Sequence, residues 1–80
     1  MGVGQSGDAI YRDSLQDELR RIELAAVDGE RKLAEQEALI VSLKKQNLDV
    51  SKAEAELEMM RENQRLYEQD RQRLLYQLRP

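Results

Sequence analysis

Apolar residues in the first half of the chain recur at alternating spacings of four and three, which is the spacing of a coiled-coil heptad. Seven of the nine positions in this series are apolar. The pattern predicts a long amphipathic helix, because a half-buried strand would alternate every second residue. The positions of this first seam are Leu15, Leu19, Ile22, Ala26, Gly29, Leu33, Gln36, Ile40 and Leu43.

A second seam of the same type occupies the last third of the chain, and six of its eight positions are apolar. It does not continue the first seam, because extending the earlier count beyond Leu43 leads mainly to polar residues. The heptad count therefore slips between residues 43 and 53. The positions of the second seam are Ala53, Leu57, Met60, Gln64, Tyr67, Arg71, Leu74 and Leu78.

Either a stammer in one continuous helix or a reversal between two helices would produce this slip. The local residues favour the reversal. Lys44 and Lys45 suit a helix C-terminus, and Asn47 is the commonest replacement for Gly in the left-handed conformation that ends helices. Asp49 is a good N-cap for a second helix, with Leu48 packed beneath the turn. Continuing the helix through this stretch would cost only about 2 kcal/mol, so one long helix stays the alternative.

The predicted fold is all-α, an antiparallel helical hairpin of the coiled-coil type. Its helices are expected over 8–46 and 50–78, joined by a turn at 47–49. A disordered tail is expected at 1–7, where three of seven residues are Gly.

The two seams are expected to face each other, and with Leu48 at the apex Gly29 would lie opposite Tyr67. There the glycine would make room for the Tyr67 ring or for a close contact between the helices; the alternative is a glycine that is merely tolerated at the surface or marks a slight kink. Gln36, Gln64 and Arg71 interrupt the seams and are expected to fix the register or the oligomeric state, although Arg71 could also extend its charge to water. The predicted helix–helix interface comprises Leu15, Leu19, Ile22, Ala26, Gly29, Leu33, Ile40, Leu43, Ala53, Leu57, Met60, Tyr67, Leu74 and Leu78.

Further apolar residues stand beside the seams, namely Leu39, Met59, Leu66 and Leu75. They widen each apolar stripe beyond what one hairpin can bury. We therefore expect two hairpins to associate as a homodimer, giving a four-helix bundle. The alternative is that a different protein covers this surface.

The composition excludes most kinds of catalytic and metal-binding site. With no Cys and no His, the chain has no thiolate and no side chain that ordinarily titrates near neutral pH. We expect no enzymatic activity, no cofactor and no metal site, since the acidic triplet Glu54, Glu56 and Glu58 spreads around a helix. No stretch has the length and apolarity of a membrane span or a signal peptide, so a cytoplasmic protein is expected.

The leading functional hypothesis is therefore a small protein–protein interaction, scaffolding or adaptor protein that acts through the hairpin. The alternative is an accessory nucleic-acid-binding or transcription-modulating protein that uses the Arg-rich second helix, through Arg61, Arg65, Arg73 and Arg79. A net charge of −3 makes nucleic acid the less favoured partner.

The segments GERKLAEQEALIVSLKKQNLD and AEAELEMMRENQRLYEQDRQRLLYQL resemble a group of short uncharacterised helical proteins of rhizobia and related alphaproteobacteria. Members of that group usually have Gly where this chain has Asn47, so the resemblance implies a left-handed turn there. It implies a bacterial source and a hairpin, and it brings no known activity.

Overall fold

The structure is a computed structural model that describes residues 3–80, with side chains described from Ala9 onward. It contains two α-helices, α1 (Val3–Lys45) and α2 (Ser51–Gln77), and no strand within the described part of the chain. The helices pack side by side along a rod of 70 × 17 × 14 Å. An unbroken helix over the same residues would be roughly 110 Å long. The predicted all-α hairpin is confirmed, and the continuous helix is wrong.

α1 begins earlier than the sequence suggested. Residues 3–7, which were assigned to a disordered tail, belong to the helix, whereas Met1 and Gly2 lie outside the described residues. The glycine penalty does not end the helix there, because extending a helix that the packed part has already nucleated is far easier than starting one.

The turn is built on the left-handed residue that the sequence indicated. Asn47 has φ 58°, the only positive φ at a non-glycine position in the described chain. Its N–H donates to the carbonyl of Lys44 at 3.0 Å, and the N–H of Leu48 donates to the carbonyl of Leu43 at 3.0 Å. This pair of bonds is a Schellman motif, which satisfies the last carbonyls of α1 while the chain reverses.

The start of α2 differs from the prediction by one residue. Val50 rather than Asp49 occupies the N-cap position, and its carbonyl accepts from the N–H of Glu54 at 2.8 Å. The Asp49 carboxylate instead accepts from the backbone N–H of Ser51 at 3.0 Å and from its hydroxyl at 2.8 Å. These bonds hold the pKa of Asp49 below its ordinary value. Because the folded-state pKa is lowered, this stabilisation is present above the ordinary Asp pKa and is lost as the pH falls through the folded value.

The apolar residue beneath the turn also differs. Leu48 is exposed, so the prediction that it packs under the turn is wrong. Val50 packs there instead, against the buried cluster of Ile40, Ala53 and Leu57. The left-handed residue at 47 directs the chain so that the first side chain to point back at the core is the one at 50.

The core is a narrow line of side chains between the helices. One cluster lies next to the turn, and Leu74 is fully buried toward the open end of the hairpin, where Leu15 is also buried. All fourteen residues assigned to the helix–helix interface are buried or half-buried in the structure.

Two glutamine side chains bridge the helices in opposite directions. Gln36 Nε2 on α1 donates to the carbonyl of Ala53 at 2.9 Å, and Gln64 Nε2 on α2 donates to the carbonyl of Ala26 at 3.0 Å. Both acceptors belong to alanines, whose short side chains leave the backbone carbonyl open to a second donor. Arg71, the third polar seam residue, reaches Glu23 across the interface at 3.5 Å. Each polar seam residue therefore has a partner on the other helix.

The pairing register differs from the predicted one by about one helical turn. Gly29 lies against Gln64 rather than Tyr67: a methyl group on Gly29 would be 2.8 Å from Gln64 Cδ and would overlap with Oε1. Tyr67 lines the adjoining hollow. The glycine is thus explained by a polar side chain rather than by a ring, because the Gln64 amide must cross the α1 backbone to reach Ala26.

This contact predicts an energetic coupling between Gly29 and Gln64. In the wild-type background Gly29→Ala should gain about 1 kcal/mol of helix propensity and lose about as much by displacing the Gln64 amide from its hydrogen bond. In a Gln64→Ala background the same change should stabilise the fold by about 1 kcal/mol. Urea unfolding of the four proteins in this double-mutant cycle measures the difference.

The matched control for this cycle is Ala34→Gly, an exposed substitution on the same helix. It should cost about 1 kcal/mol in both backgrounds. Equal effects of Gly29→Ala with and without Gln64 would show that the two residues do not interact.

Candidate protein-interaction surfaces

The acidic side chains that the structure describes do not cluster into a metal site: no group of three or more Asp and Glu side chains in residues 9–80 is placed to hold a metal ion. A hollow of about 150 Å³ lies beside Gly29, next to the buried Oε1 of Gln64, which has no hydrogen-bond partner. Over this same range, neither helix includes a segment long and apolar enough to cross a membrane. The features that remain to be explained are exposed apolar side chains.

Three of the four residues assigned to a partner surface share one side of the hairpin. Leu39 lines an interhelical groove together with Lys52 of α2. Lys52, Met59 and Leu66 are spaced seven residues apart and so share one face of α2. Leu39, Met59 and Leu66 are all exposed, Met59 at 69%. We call these three residues the apolar flank.

Leu75 does not belong to the apolar flank. At 100° per residue it lies about 160° around the α2 axis from Met59. Leu75 is exposed, but it points to the opposite side of the hairpin. The prediction of a single surface containing all four residues is therefore corrected, since adjacency to a seam residue does not specify on which side of the seam a neighbour lies.

A longer apolar surface, not identified from the sequence, runs along α1 away from α2. It consists of Leu24, Val27, Ala34, Ala38 and Val41, all of them exposed, with Leu24 and Val27 each at 65%. Together with Arg31, these residues alternate at spacings of three and four, and they lie about 150° around the helix from the seam. We call them the outer stripe. The same count that revealed the seams would have found it, had the count been started at Leu24.

Arg31 interrupts the outer stripe and pairs with two carboxylates of its own helix that border the same edge. It lies 2.8 Å from Asp28, one turn before it, and 2.5 Å from Glu35, one turn after it. Hydrogen bonds from Arg31 and then Lys32 hold the pKa of Asp28 below its ordinary value. The Arg31 charge is thus balanced locally by residues of its own helix.

The arginines assigned to nucleic-acid contact are engaged within the protein. Arg61 and Arg65 pair with the carboxylates three residues before them, and Arg73 approaches Asp70 at 3.9 Å and Glu18 at 3.8 Å. The Arg79 guanidinium lies 5.2 Å from the centre of the Tyr76 ring. Ion pairs of this spacing are common on exposed helices, and they reduce the net positive potential that a phosphate backbone would meet.

Comparison with known proteins adds no relative: no family model matches the chain, and neither the curated proteins nor the solved structures include a similar one. The resemblance to short rhizobial proteins stays a prediction.

Proposed function

We propose that this chain is a small non-enzymatic interaction or scaffolding protein that self-associates through the apolar flank as a homodimer, forming a four-helix bundle. The observation that supports this most directly is the exposure of Leu39, Met59 and Leu66 on one side of a two-helix hairpin. Two helices bury one line of side chains between them, and pairing two hairpins into a four-helix bundle covers a second line.

The magnitudes indicate a dimer that depends on concentration. Three exposed side chains from each copy give six, and burying what remains exposed contributes about 1 kcal/mol each, or roughly 6 kcal/mol in all. Association costs an estimated 4–15 kcal/mol in lost translational and rotational freedom. The free energy gained by burying the apolar flank is near the lower limit of this association cost. Neighbouring contacts must therefore contribute, and the dimer should dissociate on dilution.

Light scattering coupled to size-exclusion chromatography, run from low to high micromolar protein, tests the dimer. The wild-type chain should shift from monomer mass to dimer mass as concentration rises. Met59→Lys and Leu66→Lys should each leave a folded monomer over this range, because they place a charge in the contact.

Val41→Lys is the matched control, since it adds the same charge to an exposed apolar position of the outer stripe. It should leave the dimer intact. A chain that is monomeric at every concentration, or a dimer unaffected by Met59→Lys, would contradict self-association through the flank.

The nucleic-acid-binding alternative has less support. Its four arginines are engaged with carboxylates or with Tyr76, and the net charge is −3. No specific contact among the described residues favours it.

A further inference from the structure

We propose that the outer stripe of α1 is a docking surface for an amphipathic helix of another protein, one whose apolar seam is flanked by Lys or Arg. This inference rests on the proposed interaction function and specifies the partner chemistry for a second surface, separate from the apolar flank.

The outer stripe has the dimensions of a helix-binding surface. From Leu24 to Val41 it spans seventeen residue steps, about 25 Å, which is nearly five helical turns. Leu24 and Val27 lie at one end of the stripe and Val41 at the other, Arg31 lies near its centre, and Ala34 and Ala38 lie between Arg31 and Val41. The two small alanines allow a second helix backbone to approach closely over that half of the stripe. A partner helix of about 18 residues would cover the whole stripe.

The hairpin itself does not cover this surface. α2 packs against the opposite side of α1, where Leu33 and Ile40 belong to the core. Val27 shares an open groove with α2 at one edge of the stripe, and it is still 65% exposed. The stripe therefore has seam-like spacing without a partner helix, which is unusual for a solvated helix face.

The charges beside the stripe indicate the sign of the charge that a partner helix should carry. Between residues 23 and 41 there are five acidic and two basic side chains, a balance of −3 that equals the net charge of the whole chain. Asp28 and Glu35 border one edge, while Glu23, Glu30 and Glu37 border the other. Within the described chain Glu30 and Glu37 take part in no ion pair. Lys or Arg residues flanking a partner seam would meet these carboxylates.

The same charges disfavour a second copy of this chain as the occupant. In an antiparallel self-pairing centred on the stripe, Glu30 would face Glu37 of the other copy. In a parallel pairing, Glu30 would face Glu35. Both orientations bring like charges together, and such pairs oppose association. A basic-flanked helix avoids this repulsion.

The test uses two synthetic helical peptides of about 20 residues that share one Leu heptad seam. One peptide carries Lys at the flanking positions and the other carries Glu. Fluorescence anisotropy is measured against the full chain, at peptide concentrations where each peptide is monomeric. The Lys peptide should bind at least about tenfold more tightly, and its advantage should shrink as salt is added.

Three variants of the full chain, each checked for folding by circular dichroism, locate the contact. Val27→Asp should weaken binding of the Lys peptide at least about tenfold, because it places a carboxylate in the seam of the stripe. Glu30→Lys combined with Glu37→Lys should reverse the preference between the two peptides. Met59→Lys, which changes only the apolar flank, should leave peptide binding unchanged.

Equal binding of the two peptides, no binding of either, or binding that survives Val27→Asp would overturn the proposal. So would conversion of a dimer to a monomer by Val27→Asp, since a second copy would then be the occupant. The peptide test and the dimer test can fail independently of each other. A monomeric chain that binds the Lys peptide refutes only self-association through the flank. A dimer that binds neither peptide refutes only docking on the stripe.

Discussion

Replacing Leu74 with Ala is expected to lower the free energy of unfolding by about 2–4 kcal/mol. Leu74 is the only large side chain of the described core with no exposed surface, so its removal leaves a cavity as well as losing buried apolar area. A chain of this length has a total stability of about 4–12 kcal/mol. The loss is therefore a large fraction of the whole, and thermal or urea unfolding followed by circular dichroism at fixed protein concentration measures it.

Leu48→Ala is the control for this experiment, because it deletes the same atoms from an exposed position in the turn. Its cost should stay below about 1 kcal/mol, as expected for a substitution outside the core. Equal costs for Leu74→Ala and Leu48→Ala would show that the open end of the hairpin is not packed as described.

Gln36→Glu is expected to destabilise the fold by about 3 kcal/mol at neutral pH. Gln36 is 8% exposed, and its Nε2 faces the carbonyl of Ala53 and, at 3.3 Å, a carboxylate oxygen of Glu56. A carboxylate in this position would have no donor to accept from and would face two oxygen atoms. Its charged form would be both buried and repelled.

The effect of Gln36→Glu should depend on pH with a definite sign. Burial and the neighbouring oxygens raise the folded-state pKa of the introduced carboxyl above its unfolded value. The variant should therefore be close to wild type in stability below the ordinary Glu pKa and should lose stability as the pH rises through the folded value. Urea unfolding of the variant and the wild type at a series of pH values measures this dependence.

Gln69→Glu, at an exposed position of α2, provides the baseline for the same pH series. Its stability difference from wild type should be small and nearly independent of pH. A Gln36→Glu variant that unfolds like Gln69→Glu across this range would mean that the amide at 36 is solvated rather than buried between the helices.

The sequence was sufficient to predict the architecture because two local signals agreed. The slip in the heptad count located the reversal, and Asn47 supplied the residue type that a left-handed helix end requires. The seam positions followed from the spacing alone, and a long amphipathic helix has only one narrow side that can pack.

The sequence could not predict the register or the surfaces to the same degree. Register depends on which side chain of the turn is directed inward, and this is Val50 rather than Leu48. That shift of about one turn changed the partner of Gly29. The outer stripe was missed because its sequence pattern is weaker than that of the seam beside it. Arg31 interrupts the stripe, and two of its members are Ala.

The reciprocal glutamine contacts have a consequence for misfolding. A heptad seam repeats, so a hairpin that slips by seven residues, about 10 Å, would again bring apolar positions together. In one such slipped state Gln64 would lie level with Ile22, whose side chain fills the space that Gly29 leaves open. Its amide would lose the Ala26 carbonyl, and Gln36 would lose that of Ala53. Each buried amide left without a hydrogen-bond partner costs about 1–3 kcal/mol. This cost separates the native state from slipped states that the apolar seam alone would leave nearly equal to it in free energy.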